Sequence, residues 1–541
     1  MTWLLWVLLL GYIGLSLALY KLFPKADKPA KSALIPVYNM MVVAEIVGRK
    51  PWHALLLLIP YFNIFIFAGL MVDLARSFGR FNFLEHVASV VASWGYFGWL
   101  STKETNHYKY NGPILVRERA YRAELAAAQK AGDKREINKV HGAYPEFEKP
   151  FYVEWAEAAV FAIFAAALIR LLLIESYIIP TPSMEGNLNV GDFLFVSKVH
   201  YGLRLPETIL MIPLAHNRAP FVNGESYIEG AELPYRRLPG LEAVDRFDPV
   251  VFNVPAGDSV YITPGRNHYP FEVKTGMLNY RPNILRAIQN GQIDLTTRPR
   301  DKRDHYVKRC IGLPGERLEI RDRQVFINGE AIEDPENVQF SYVVSPWPNK
   351  VPQSWTDMGI SAEDYYGDGQ GNTVVFLSNE QVAELRAGNP EMTIEHTDKE
   401  AEGGVRMFPH DTKYYDNWSV DNYGPITLPA RGMTIKLDDA THRLYWRAIS
   451  VYDENPSYEY RDGKFYLDGR EITEYTFKQD YYWMMGDNRH NSEDSRVWGY
   501  VPEDHILGKP LFVWFSIKEG SLFNGVNWHR IGRSGSKQGG R

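Results

Sequence analysis

The apolar runs of this chain all lie before residue 178, and that asymmetry splits it into a part suited to lipid and a part suited to water. Trp3 to Tyr20 carries no charged side chain, and a helix needs about 20 apolar residues to cross a bilayer. A second run covers His53 to Leu74, a weaker third covers Leu84 to Leu100, and a fourth covers Trp155 to Tyr177. Leu34 to Val47 is also apolar but short, which suits an interfacial or re-entrant segment. A cleavable signal peptide would carry its positive charges ahead of the first run. Here Lys21, Lys25, Lys28 and Lys31 follow it, so the run reads as a span with its N-terminus outside.

Between the third and fourth runs stand Arg117, Arg119, Arg122, Lys130, Lys134, Arg135 and Lys139. Such an excess of Lys and Arg marks a cytoplasmic loop, so the fourth span should lead outward. In this scheme Arg76 and Arg80 fall on the outer side. Arg170, near the end of the fourth run, reads as a side chain snorkelling toward the headgroups. The expected organisation is a polytopic membrane region of about three spans at 1–104 and a basic cytoplasmic loop at 105–152. An anchor helix at 153–177 then leads to an extracytoplasmic β-rich domain at 178–531, and 532–541 reads as a disordered tail.

A chain of 541 residues exceeds one ordinary domain, in line with this division. The net charge of −6 carries no footprint for nucleic acid, so none is expected as a partner. One cysteine, Cys310, excludes an intramolecular disulfide and a cysteine-cluster zinc site.

Beyond residue 178, short alternating segments read as strands: Phe193 to Val199, Val250 to Val254, Arg317 to Ile327, Thr434 to Leu437 and Phe465 to Leu467. Gln324 to Ile332 and Lys464 to Ile472 each place an Asn-Gly or Asp-Gly turn between two strands, a strong hairpin signal. Whether they are duplicates or independent hairpins is open at this level. The run Gly-Asp-Gly-Gln-Gly at 367–371 lacks the lysine of a phosphate loop and the spacing of a calcium loop, so it reads as a turn.

Three stretches carry candidate chemistry. Ile178 to Met184 holds Ser183 in a turn stiffened by Pro180 and Pro182. Tyr306 to Glu316 sets Lys308 among apolar residues ahead of a Gly-Leu-Pro-Gly turn. Free lysine has a pKa of about 10.4, but an apolar site lowers it, and a neutral lysine is a general base for a hydroxyl. Met484 to Arg496 packs short polar side chains between apolar strands, which suits a mutually satisfied network.

Together with Gly191 to Gly202 and Arg246 to Pro255, these stretches resemble the boxes of the bacterial type I signal peptidases, in the same order and next to a membrane span. The resemblance runs from the fourth span to residue 517. It implies an N-terminal α-helical transmembrane region plus a mainly β catalytic domain of the signal-peptidase type, with a β-rich insertion at about 335–460. It further implies a serine endopeptidase removing signal peptides from exported pre-proteins at the outer face of the cytoplasmic (inner) membrane, the catalytic domain being periplasmic. Ser183 would be the nucleophile and Lys308 its base. The Ser183 backbone N–H and the Thr181 hydroxyl would hold the oxyanion, Thr181 standing where many members have Ser. Ser492 matches the residue that orients the lysine, and Asp487, Asp494 and Arg496 match the ion pairs beneath the site. His490 departs from the usual Asp, so its role is open. No metal or cofactor is implied. Signal peptides, the lipid bilayer and the secretion translocon are the implied partners, and small residues one and three positions before the cut the implied preference.

Two rivals remain. A Ser-His-Asp hydrolase would call for a Gly-x-Ser-x-Gly elbow, which the sequence lacks. A catalytically inactive, membrane-tethered scaffold for exported proteins would be marked by loss of Ser183 or Lys308, and both are present.

Overall fold

The computed structural model describes residues 2–58, 62–103, 109–148, 151–208, 211–212, 215, 217, 224–228, 230, 232–255, 259–263, 267–348, 351–352, 355, 358, 360, 364–367, 372–397 and 404–535. Most of the run at 367–371 and the last six residues of the tail therefore lie outside the described set. The chain divides into two compact units, residues 1–168 with 209–213 and 227–232, and residues 169–208, 214–226 and 233–541.

The first unit is helical. Its core gathers Leu19, Val43, Val47, Leu74 and Phe97 from the helices Thr2–Leu22, Tyr38–Val47, Phe62–Ser77 and Ser93–Thr102, with Phe23 and Phe78 just beyond two of their ends. The second apolar run is broken: Pro51–Leu58 is a 3₁₀ segment and Phe62–Ser77 an α-helix. The third is also two pieces, Phe83–Val91 and Ser93–Thr102, because Ala92 leaves helical geometry at φ −123° and ψ 43°. Pieces of 9 and 10 residues are each shorter than a bilayer-crossing helix. Some side chains of Thr2–Leu22 lie outside the described set. Among the described residues, one helix, Phe151–Leu172, is long and apolar enough to cross a membrane.

One sidedness expectation is corrected within this unit. Arg76 ion-pairs with Glu118 at 2.8 Å, and Glu118 belongs to the basic helix Ile114–Ala131. Arg76 and the basic segment therefore meet on one side, and Asp73, buried at 5% exposure, accepts from both Arg76 and Arg49.

The second unit is mainly β. Its central sheet has seven strands in the order Ile174–Ile178, Asp192–Ser197, Ile506–Ser516, Pro249–Asn253, His305–Gly312, Tyr481–Met485 and Val501–Pro502. All neighbours run antiparallel. The helix Phe151–Leu172 ends earlier than the expected Tyr177, because Ile174 to Ile178 pair residue by residue with Phe193 to Ser197. A β-branched and aromatic segment gains more as a paired edge strand than as a last helical turn.

Both expected hairpins form, with Asn328–Gly329 and Asp468–Gly469 at positive φ as that turn requires. Each is also preceded by a third strand, Arg317–Arg321 or Glu459–Arg461, so both are three-stranded meanders. The segment at 335–460 is bipartite. Gln339–Ser345, Tyr365–Gly367, Thr373–Ser378 and Thr393–His396 form their own sheet over a separate core that includes Val344, Trp355 and Leu377. Phe408, Trp418, Tyr423, Leu444 and Tyr452 instead join the main core with Trp483 and Tyr500.

Candidate active site

Pro182 opens a single 3₁₀ turn, Pro182–Met184, directly after the edge strand Ile174–Ile178, and this turn presents Ser183. Lys308 stands in the middle of the sheet, opposite Val250. The two residues are 125 positions apart in sequence, yet Lys308 Nζ donates to Ser183 Oγ at 2.7 Å. Both are buried, at 4% and 7% exposure, and Lys308 Nζ also donates to Val307 O at 3.1 Å. The ammonium lies 5.3 Å from the centre of the Tyr306 ring. Burial pushes the Lys308 ammonium down to about 8, against the opposing pull of Asp494, Glu493 and Asp487. A good fraction of this lysine is therefore neutral in mildly alkaline water, and the neutral amine accepts a proton from a hydroxyl.

The site opens on a cleft of about 1420 Å³ that runs along the edge strand, with Thr181 exposed at its rim. Residues missed by sequence reasoning supply part of its wall. Ile262, Met277 and Arg298 come from a small unit inserted between the strands Pro249–Asn253 and His305–Gly312. The length of chain separating two adjacent strands was the available signal.

Beneath the dyad, the loop Gly486 to Arg496 holds two buried carboxylates, Asp487 and Asp494, each paired with an arginine. Asp487 takes a bidentate pair from Arg309, at 2.7 and 2.5 Å, both side chains being 2% exposed. Arg309 was the unassigned partner of this network, legible only as a second cation beside Lys308. Asp494 accepts from Arg496 Nε at 2.9 Å, Arg496 Nη2 at 2.8 Å and the Gly486 N–H at 3.0 Å. Although burial alone would raise it, the Arg496 guanidinium holds the Asp494 carboxyl below the usual carboxylate range. Gly486 has no room for a side chain, since a Cβ there would run into Ser183 O and Ser492 Oγ. The Asn488 N–H donates to Ser183 O at 3.2 Å, which ties the loop to the backbone of the serine itself.

Ser492 is thus at the site, facing Gly486, but its hydroxyl is not among the partners of Lys308 described here. It stands instead near Asp494. His490 has its described hydrogen-bond partners in the segment at 335–460. Its Nδ1 lies 2.7 Å from Ser341 Oγ and its Nε2 2.7 Å from Asp421 Oδ1.

Residues 152–344 and 448–515 match the family described as signal peptidase, peptidase S26. Residues 32–113 match a family of unknown function, DUF5684. Signal peptidase I of Pseudomonas aeruginosa is 20% identical over 396 residues, covering 71% of this chain and 80% of that relative. Signal peptidase I of Haemophilus influenzae is 22% identical over 370 residues, covering 67% of this chain and 69% of its own length. Signal peptidase I of Buchnera aphidicola subsp. Schizaphis graminum is 53% identical, over 53 residues that span 9% of this chain and 17% of the relative.

Proposed function

We propose a mechanism for a chain that belongs to the signal peptidase family, peptidase S26, and is a serine endopeptidase of the signal peptidase I kind: Ser183 attacks the scissile carbonyl and Lys308 is its general base. Neutral Lys308 takes the Ser183 proton as the Oγ–carbon bond forms, and the resulting ammonium then donates that proton to the leaving amine. The acyl ester on Ser183 is cleared by a water that Lys308 deprotonates in the same way. The tetrahedral oxyanion is held by the Ser183 N–H and the Thr181 hydroxyl, two donors that matter most when the negative charge develops. The ion pairs Arg309–Asp487 and Arg496–Asp494 hold the two reacting residues in register.

The observation that carries this reading is the 2.7 Å hydrogen bond between a buried lysine and a buried serine at the edge of a cleft. The substrate is a signal peptide on an exported pre-protein, laid as an extended segment along the cleft edge. The anchor helix is a membrane span, and the first unit is a multi-pass region with the basic helix Ile114–Ala131 in the cytoplasm and the β unit outside. Residues 335–460 are an insertion of the catalytic domain, and the translocon is its neighbour in the membrane. An inactive scaffold is disfavoured by the apposition of Ser183 and Lys308.

Incubating the full-length protein with one exported precursor and reading the mass of the new N-terminus tests this. Ser183→Ala and Lys308→Ala should each abolish cleavage with the fold intact, and the double variant should be no worse than either single. Cleavage retained by folded Lys308→Ala would rule out the Ser/Lys chemistry.

A further inference from the structure

The ring of His490 is completely enclosed, with a side-chain exposure of 0%, and both of its nitrogens are engaged. The backbone N–H of Ser341 points at Nδ1 from 3.1 Å, and the Ser341 hydroxyl lies 2.7 Å from the same atom. A backbone N–H only donates, so Nδ1 is an acceptor and the ring proton sits on Nε2. From there it is donated to Asp421 Oδ1 at 2.7 Å. An aspartate in place of His490 would turn a second carboxylate toward Asp421 and supply no donor.

Ser341 and Asp421 both come from the segment at 335–460, whereas His490 belongs to the loop Gly486 to Arg496. Three backbone and side-chain links accompany the ring. The Gln339 N–H donates to Asp487 O at 2.8 Å and the Arg489 N–H to Gln339 O at 2.9 Å, so the loop runs briefly parallel to the strand Gln339–Ser345. Arg489 Nη2 donates to Asp334 Oδ1 at 2.6 Å. On its other side the same loop bonds Ser183 O through the Asn488 N–H and lies against it at Gly486. An unbroken path of short contacts therefore leads from the inserted sheet to the backbone of Ser183.

We infer that His490 is a positioning residue that latches the inserted sheet, through Ser341, to the loop that seats Ser183, while Asp421 from the part of 335–460 that joins the main core holds its other nitrogen. This rests on the assignment of Ser183 and Lys308 as the reacting pair. The inserted sheet is thereby part of what sets the geometry of the site, rather than a cap carried beside it. A displacement of the loop is transmitted to the Ser183 backbone and its N–H, which act in the transition state more than in substrate binding.

The test uses full-length protein and a precursor peptide, with kcat and KM measured for His490→Ala, Asp421→Ala and the double variant. Each single should lower kcat by about tenfold to 10²-fold while KM changes little, as for a remote shift of the reacting groups. Because they break one link, the double should lose no more than the worse single. His490→Asn, which keeps an acceptor near the position of Nδ1, should recover part of the kcat lost by His490→Ala. Hydrogen exchange should rise in Gln339–Ser345 of His490→Ala and stay unchanged in His305–Gly312, which shows that the fold persists. A normal kcat in folded His490→Ala, or losses that simply multiply in the double variant, would overturn the latch while leaving the Ser/Lys reading untouched. If the acid limb of kcat/KM vanished with His490, the latch and the Lys308 assignment would fall together.

Discussion

At the residue scale, the proposed chemistry depends on a lysine whose burial opposes its own charge. Desolvation lowers Lys308 to about 8 from a reference of 10.5, so the folded state binds this proton less tightly than the unfolded chain does. A group shifted in that direction destabilises the fold wherever the lysine is charged in the unfolded chain: fully below about 8, and progressively less as pH climbs toward 10.5. Lys308→Met should therefore abolish cleavage yet raise the melting temperature at neutral pH, with the gain shrinking at alkaline pH. A drop in melting temperature at neutral pH would show that the charge is not the cost identified here. Thr181 offers a second residue-scale test. Thr181→Val keeps the β-branched shape and removes the hydroxyl, and should lower kcat about 10²- to 10³-fold with less effect on KM. Thr181→Ser keeps the donor and should retain most activity. A near-normal kcat for the valine variant would reduce Thr181 to a turn residue.

At the element scale, the loop Gly486 to Arg496 is the support on which Ser183 rests. Gly486 sits where a Cβ would collide with the Ser183 carbonyl oxygen and the Ser492 hydroxyl. Gly486→Ala should thus depress kcat while leaving the outlying meander Glu459–Ile472 unaffected, as hydrogen exchange can read. Wild-type kcat in this variant would mean that the loop yields without moving the serine. Short-range signals served well at this scale where turn chemistry decided the outcome. Asn328–Gly329 and Asp468–Gly469 make the hairpins their dipeptides imply, because only such residues take positive φ at low cost. The end of the helix Phe151–Leu172 was not legible, because Ile174 to Ile178 is equally apolar as helix or strand and its pairing with Phe193 to Ser197 decides. The role of His490 was likewise hidden, since Ser341 and Asp421 lie 149 and 69 positions away from it.

At the scale of the whole molecule, the likeness to the signal peptidases and the mainly β catalytic unit were legible from ordered sequence stretches. The membrane part was less so. Apolar runs report composition, whereas Ala92 and the 3₁₀ segment Pro51–Leu58 break two of those runs into short pieces. Arg76 was misjudged for a related reason: its ion pair with Glu118 depends on how helices pack, which hydropathy does not record. The proposed orientation predicts that Ala127→Cys is shielded from a membrane-impermeant thiol reagent in spheroplasts and that Glu384→Cys reacts, with buried Cys310 replaced by Ala. The reverse pattern would put the β unit in the cytoplasm and remove signal peptides as its substrates.

The central claim is that Lys308, uncharged, accepts the Ser183 proton, and the pH dependence of kcat/KM on a precursor peptide tests it most directly. In the free enzyme kcat/KM should rise with pH through an acid limb near 8, the value to which burial brings Lys308. The limb should persist in His490→Ala at a lower plateau. An acid limb at the ordinary histidine value of about 6.5, lost when His490 is replaced, would contradict the account and assign the base elsewhere.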